Sequence, residues 1–171
     1  MSKRVPEWIS GMDIHYRPIG VVRSPFTDPE SMPVQPVGVE SACGVIEIDP
    51  SYEEGLKDLE GFTHLILLYH FHRSGPCRLT ITPFLDTQRR GLFSTRAPSR
   101  PNPIGLSIVE LLGVDGNRLS VAKLDILDGT PLLDIKPYVP EFDSRPSALS
   151  GWFEKARGVA GSKLSDGRFK V

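Results

Sequence analysis

Apolar positions in this chain fall in short runs broken by turn residues, the pattern of many short strands. Ile14 to Val22 (IHYRPIGVV) reads as a first strand, with Pro18 marking an edge or a bulge. Ser24 to Gly38 (SPFTDPESMPVQPVG) has little to bury and reads as a long loop of the kind that often carries function. Ala42 to Ile48 (ACGVIEI) alternates and reads as a second strand. Asp49-Pro50 opens a short helix, with Asp49 as cap, Leu56 and Leu59 as its apolar face and Gly61 as its stop. Phe62 to Phe71 (FTHLILLYHF) is the most hydrophobic segment and reads as a central strand, and Leu79 to Phe84 as another. Leu106 to Leu127 is a hairpin turning at Asp115-Gly116-Asn117. Leu132 to Tyr138 is a last strand, and Ser147 to Arg157 a capped helix before a polar tail. No internal repeat is visible. The predicted fold class is all-β, a small barrel or sandwich of about six to seven strands with one short inserted helix and a C-terminal helix.

Composition narrows the class. A chain of 171 residues fits one domain, and 39% hydrophobic residues suffice for a buried core. The expected division is a lead-in over 1–13, a barrel domain over 14–145, and a C-terminal helix and tail over 146–171. Lys plus Arg number 20 against 21 Asp plus Glu, so any case for a nucleic-acid partner rests on a local patch. Cys43 and Cys77 form no CxxC pair, which fits a reducing cytoplasm rather than a disulfide framework. The N-terminus lacks the apolar run of a signal peptide, and the longest apolar stretch, Leu65 to Tyr69, is too short to span a bilayer. A soluble, cytoplasmic protein with no membrane partner is expected. Neither GxGxxG nor a Walker A pattern occurs, so a Rossmann crevice and a P-loop are not indicated.

Three segments carry chemistry. Thr87 to Val109 (TQRRGLFSTRAPSRPNPIGLSIV) holds Arg89, Arg90, Arg96 and Arg100 and no acid. Pro98, Pro101 and Pro103 stiffen it, so it can present guanidinium groups to carboxylate or phosphate at low entropic cost. The alternative is a solvated basic loop. Leu124 to Tyr138 (LDILDGTPLLDIKPY) contains the turn Asp128-Gly129-Thr130-Pro131, whose amides and carboxylate suit ribose hydroxyls or an adenine edge, and which is otherwise a plain Asx turn. His64, His70 and His72 share strand parity, and a pair of them with Cys77 is a weak metal candidate, since no carboxylate lies in the run. No metal is expected, and His72-Arg73, leaving the strand, better suits a polar ligand.

The chain resembles the TsaA/TrmO family. The resembling residues are Ile19 to Pro25, Leu59 to Leu65, Gly91 to Gly105 (GLFSTRAPSRPNPIG) running on into LSIVEL, Leu127 to Pro131, and Asp134 to Tyr138. They span roughly residues 17–142 in the family's order. The resemblance implies a small β-barrel that is not a Rossmann methyltransferase and that forms a homodimer. It implies S-adenosylmethionine (SAM) bound near the subunit interface, and methylation of N6-threonylcarbamoyladenosine beside the tRNA anticodon. Carried over by position, the SAM contacts are Gln35, Pro36, His72, Arg73, Arg96, Leu106, Asp125, Leu127, Asp128 and Thr130. The longer family members carry a further C-terminal domain, whereas about 30 residues follow Tyr138 here.

Under that reading the protein aligns the methyl donor with a nitrogen of the base, excludes water and removes one proton. Tyr138 and Asp134 are the candidate bases, on the expectation that DIKPY closes the same end of the barrel as DGTP. Arg89, Arg90 and Arg100 suit tRNA phosphates. The competing readings are a methyltransferase acting on another RNA or a small molecule, a non-catalytic barrel binding SAM or an adenine nucleotide, and a metal-binding barrel using His70 and His72.

Overall fold

The computed structural model describes residues 12–29 and 42–156. Among the described residues eight strands form: β1 Gly20–Arg23, β2 Gly44–Ile48, β3 His64–His70, β4 Thr80–Ile81, β5 Arg90–Gly91, β6 Ile104–Asp115, β7 Arg118–Ala122 and β8 Thr130–Pro137. Six of them close a barrel in the order β1-β2-β7-β6-β3-β8, every described pairing antiparallel. β4 and β5 pair separately.

Strand alternation fills the barrel. From β3, Leu65, Leu67 and Tyr69 point inward, and Val109 from β6, Leu119 and Val121 from β7, Ile46 from β2 and Val22 from β1 meet them. A six-stranded barrel is narrow enough for side chains to fill. Gly105 is required by this packing: it lies opposite Tyr69, and a Cβ there would collide with the Tyr69 ring. The β6–β7 turn uses Gly116 at φ +55°, as its Asp-Gly-Asn sequence predicts.

Several expected elements differ in extent. β1 begins only at Gly20, because Pro18 has no amide to donate and residues 12–18 are exposed. β7 ends at Ala122 rather than Leu127. Lys123 takes φ +58° and turns the chain across the barrel end, where Leu124 and Ile126 plug the interior. Of Leu79 to Phe84 only Thr80–Ile81 is strand, and Pro83 stops it from extending. The inserted helix is 3-10 in type, Pro50–Leu56 and Leu59–Gly61, with Asp49 accepting from the Ser51 amide as the cap. Of the expected helix from Ser147 to Arg157, only Gly151–Ala156 is helical, as a 3-10 segment that begins with Gly151 at φ +57°, and Arg157 lies outside the described residues. A single helical turn, Pro140–Asp143, precedes it.

Candidate functional site

One end of the barrel gathers the residues with the richest chemistry. β3 exits there, so His72 and Arg73 stand at its mouth, and β8 enters there at Thr130. The Asp128-Gly129 turn joins them, with Gly129 at φ +73°. The Thr130 hydroxyl lies 3.3 Å from His72 Nδ1. The Ser24 amide donates to Asp128 Oδ1 at 3.0 Å, and the Asp128 and Gly129 amides donate to the carbonyls of Phe26 and Val22. Arg73 Nη1 donates to the Thr27 carbonyl at 3.1 Å. The proline-rich loop therefore starts against the turn. Gln35 and Pro36, farther along it, lie outside the described residues. Burial holds the His72 imidazole below its ordinary range, aided by the neighbouring Arg73 and His70 and opposed by Asp128.

Beneath this mouth runs a buried polar chain. Tyr69 Oη and Ser107 Oγ are 3.0 Å apart, and Ser107 Oγ donates to Asp125 Oδ1 at 2.6 Å. With the Ser107 proton committed to Asp125, the Tyr69 hydroxyl is the donor to Ser107. Burial raises the Asp125 carboxyl above the usual carboxylate range, while the Ser107 hydrogen bond and the Arg96 guanidinium pull it back. Burial likewise raises the Tyr69 phenol. A carboxylate at the barrel end, with a guanidinium acting on it from the arginine segment, matches a ligand that carries a cation and an anion together. The sequence held a signal for this chain: Tyr69 and Ser107 occupy inward positions of otherwise apolar strands.

The arginine segment lies along the same end. The Phe71 amide donates to the Pro103 carbonyl at 2.7 Å, and the Arg78 amide to Ser99. Leu92 is buried with Ile81 and Ala97 in a small second core that fixes the segment to the β4–β5 pair. Arg90 bonds Asp86 at 2.6 Å, Arg100 donates to the Thr95 carbonyl at 3.0 Å, and Arg89 is exposed beside the Thr80 hydroxyl. The Trp152 indole donates to the Ser94 carbonyl at 2.8 Å, tying the C-terminal 3-10 segment to the arginine segment.

Residues 21–144 match the tRNA-methyltransferase O N-terminal domain. The chain belongs to the TrmO family. It is 50% identical over 156 residues to a Pyrococcus abyssi protein named "probable S-adenosyl-L-methionine-binding protein", covering 91% of this chain and 85% of that one. It is 40% identical to the tRNA (adenine(37)-N6)-methyltransferase of Escherichia coli, covering 82% of this chain and 64% of that enzyme. The crystal structure of TrmO from Pseudomonas aeruginosa superposes with a TM-score of 0.70 at 39% identity, over 82% of this chain and 63% of that one. The chain thus spans somewhat under two thirds of both methyltransferases named here.

In this TrmO-family barrel the expected site residues divide into groups. His72, Arg73, Asp128 and Thr130 are joined through the contacts above, and Asp125 and Arg96 interact electrostatically. Leu127 is buried behind the turn. Leu106 stands on the outer face of β6, opposite Leu68, while its neighbour Ser107 faces inward. Tyr138 and Asp134 are not at the DGTP end. β8 starts at Thr130, and Tyr138 follows its other end, roughly 25 Å away at the rise of an extended strand. There the Tyr138 amide donates to the His64 carbonyl and its ring lies 6.2 Å from the His64 ring. Asp134 lies midway, paired with Lys136 at 2.8 Å. Sequence adjacency suggested a shared end, but an intervening strand carries its two termini apart. Among the described residues no three His, Cys, Asp or Glu side chains group as metal ligands, and no helix is long and apolar enough to cross a membrane.

Proposed function

We propose that this chain transfers a methyl group from SAM to N6 of threonylcarbamoyladenosine beside the tRNA anticodon. The observation that carries the reading is the buried Asp125, held by the Ser107 hydroxyl at 2.6 Å at the barrel end where the Asp128–Thr130 turn meets His72. SAM offers complementary groups: an amino-acid end with both charges, a sulfonium, a ribose diol and an adenine. Arg96 and Asp125 would hold the amino-acid end, and Asp128, Thr130 and His72 the nucleoside end. Gln35, Pro36, Arg73, Leu106 and Leu127 complete the set. When bound, SAM supplies an electrophilic methyl carbon. The protein's work is to position the two reactants, exclude water and receive one proton.

The relatives' names support the activity, since those in Escherichia coli and in humans are both tRNA (adenine(37)-N6)-methyltransferases. A second reading, a barrel that binds SAM without transferring it, draws on an Archaeoglobus fulgidus relative named "S-adenosyl-L-methionine-binding protein", 46% identical over 127 residues.

The proposed assembly is a homodimer. On the outer face of the barrel, Ile66 pairs with Ile108 and Leu68 with Leu106, next to the exposed Ile104. Such a contiguous apolar face suits a second copy. Asp134, the cross-strand neighbour of Leu68, borders this face, so the candidate bases Asp134 and Tyr138 would act across the interface rather than within one chain. The barrel unit proposed is 14–145, with 146–171 as a C-terminal appendage, whose described segment Gly151–Ala156 is tied to Ser94 through the Trp152 indole. Cys43 and Cys77 are both free and exposed, which suits a reducing cytoplasm. Calorimetry with SAM and S-adenosylhomocysteine tests the site. Wild type should bind both and Arg96→Ala should lose about tenfold or more, in line with the loss of one charge-assisted contact. Unchanged affinity in the variant would move the site elsewhere.

A further inference from the structure

The 3-10 turn Leu92–Ser94 is held from several sides. Leu92 is 1% exposed, its amide donates to the Leu79 carbonyl at 2.9 Å, and its carbonyl accepts from the Thr95 hydroxyl at 2.7 Å. The Ser94 hydroxyl donates to the Gly91 carbonyl at 2.8 Å. Fixing the turn this way leaves Phe93 outside: its side chain is 74% exposed, although Leu92 already supplies the apolar anchor. A scattered exposed Phe is ordinary. This one has an arginine laid over one ring face. The Arg100 guanidinium is 5.6 Å from the Phe93 centroid and is fixed there by the Thr95 and Ala97 carbonyls. Across the turn the same arrangement repeats. The Arg90 guanidinium, anchored on Asp86, lies 5.7 Å from the Trp152 ring, whose indole bonds Ser94.

Two aromatic rings, each backed by an anchored arginine, thus flank a rigid turn. Phe93 lies three residues before Arg96, in a stretch with no acid from Thr87 to Val109. Proteins that hold single-stranded nucleic acid use this combination: positive charge along the backbone and rigid aromatic faces for unpaired bases. We propose that Phe93, backed by Arg100, is a stacking platform for an unpaired RNA base next to the methylated adenosine, and that Trp152 over Arg90 extends it. The inference rests on the RNA reading above and adds what that reading lacks, a way to hold the bases flanking the target. It also gives Arg90 and Arg100 a role besides phosphate contact, since both guanidinium groups are already tied within the protein. An arginine behind the ring adds cation–π attraction to the stack.

The test uses the full chain and a synthetic anticodon stem-loop RNA carrying 2-aminopurine beside the target adenosine, whose fluorescence falls when the base stacks. Phe93→Ala should weaken RNA binding about tenfold or more and abolish the quenching, as loss of one stacked base does. Phe93→Leu, apolar but without a flat face, should behave like Phe93→Ala, and Phe93→Tyr should stay within about twofold of wild type. SAM affinity by calorimetry and the melting temperature should not change in any of the three. RNA affinity and quenching kept in Phe93→Ala overturn the platform. So does a Phe93→Ala chain whose sedimentation shifts to a smaller species, since the ring would then be covered by a second copy. A wild type that binds SAM but no RNA at low salt fails the RNA reading itself and takes the platform with it. A wild type that methylates RNA while Phe93 proves dispensable fails the platform alone.

Discussion

The hydroxyl of Ser107, on β6, donates to the carboxylate of Asp125, in the segment that crosses the barrel end, at 2.6 Å. This bond connects the barrel interior to the mouth, and the Tyr69 hydroxyl supports it from below. Because burial raises the Asp125 carboxyl, the folded protein is stabilised least where that group must ionise. Its folded value lies above its unfolded one, so its favourable contribution is complete at low pH and is lost as pH rises through the folded value. Asp125→Asn keeps an acceptor for Ser107 and removes the charge. It should gain stability relative to wild type as pH rises from about 4 to about 8, while losing SAM affinity. Urea midpoints across that range, with calorimetry, check both. A variant destabilised at every pH would show that the charge itself holds the fold.

Gly105 and Tyr69 make a second pair that one methyl group should disrupt. Gly105→Ala drives a Cβ against the Tyr69 ring, so strand or ring must shift, and the expected cost is about 2 kcal/mol. Tyr69→Leu in the same background should recover part of the loss. A double-mutant cycle from chemical denaturation measures the coupling. Additive losses would mean that the two residues do not compete for the same space.

The His72 ring provides a pH signature of the mouth. Burial, Arg73 and His70 lower its folded-state value below the ordinary one of about 6.5, with Asp128 opposing. Between those values the unfolded chain holds more protons, so stability should rise with pH as His72 becomes neutral in both states. The imidazole resonance should titrate with a midpoint below that of the unfolded chain. His72→Gln should remove this part of the pH dependence. A midpoint above the ordinary value would mean that Asp128 outweighs the other groups.

Arg89 is the arginine of this segment left most open for a phosphate, since Arg90 and Arg100 are anchored. RNA affinity should fall steeply with salt, and Arg89→Ala should flatten the log–log slope by about one contact with little effect on SAM binding. Fluorescence titrations at several salt concentrations check this. A flat wild-type slope would mean that the protein makes no phosphate contacts.

Much of the fold could be read from pattern. The apolar run around Leu65 to Tyr69 forms β3, and the Asp-Gly-Asn turn closes the β6–β7 hairpin. What escaped depended on tertiary context. Lys123 in a left-handed conformation is unusual for a residue with a Cβ, so nothing local announced that β7 would stop there. The two-residue strand β5 carries no periodicity at all. In the site, the Asp128–Thr130 turn, Arg96 in its acid-free segment and His72-Arg73 at a polar strand exit are legible in the residues, and the family resemblance joins them into one ligand set. Tyr69 and Ser107 each look like a single polar interruption in sequence, and only the barrel brings them together. Tyr138 follows DGTP closely in sequence, but the length of β8 carries it to the opposite end.

Methyl transfer itself is tested most directly by mass spectrometry of nucleosides. The purified chain is incubated with SAM and tRNA whose threonylcarbamoyladenosine lacks the methyl group. One added methyl on that nucleoside is expected, in wild type and not in Arg96→Ala. Unchanged nucleosides with a wild-type chain that binds both SAM and the tRNA would contradict it, leaving a barrel that binds the methyl donor without spending it.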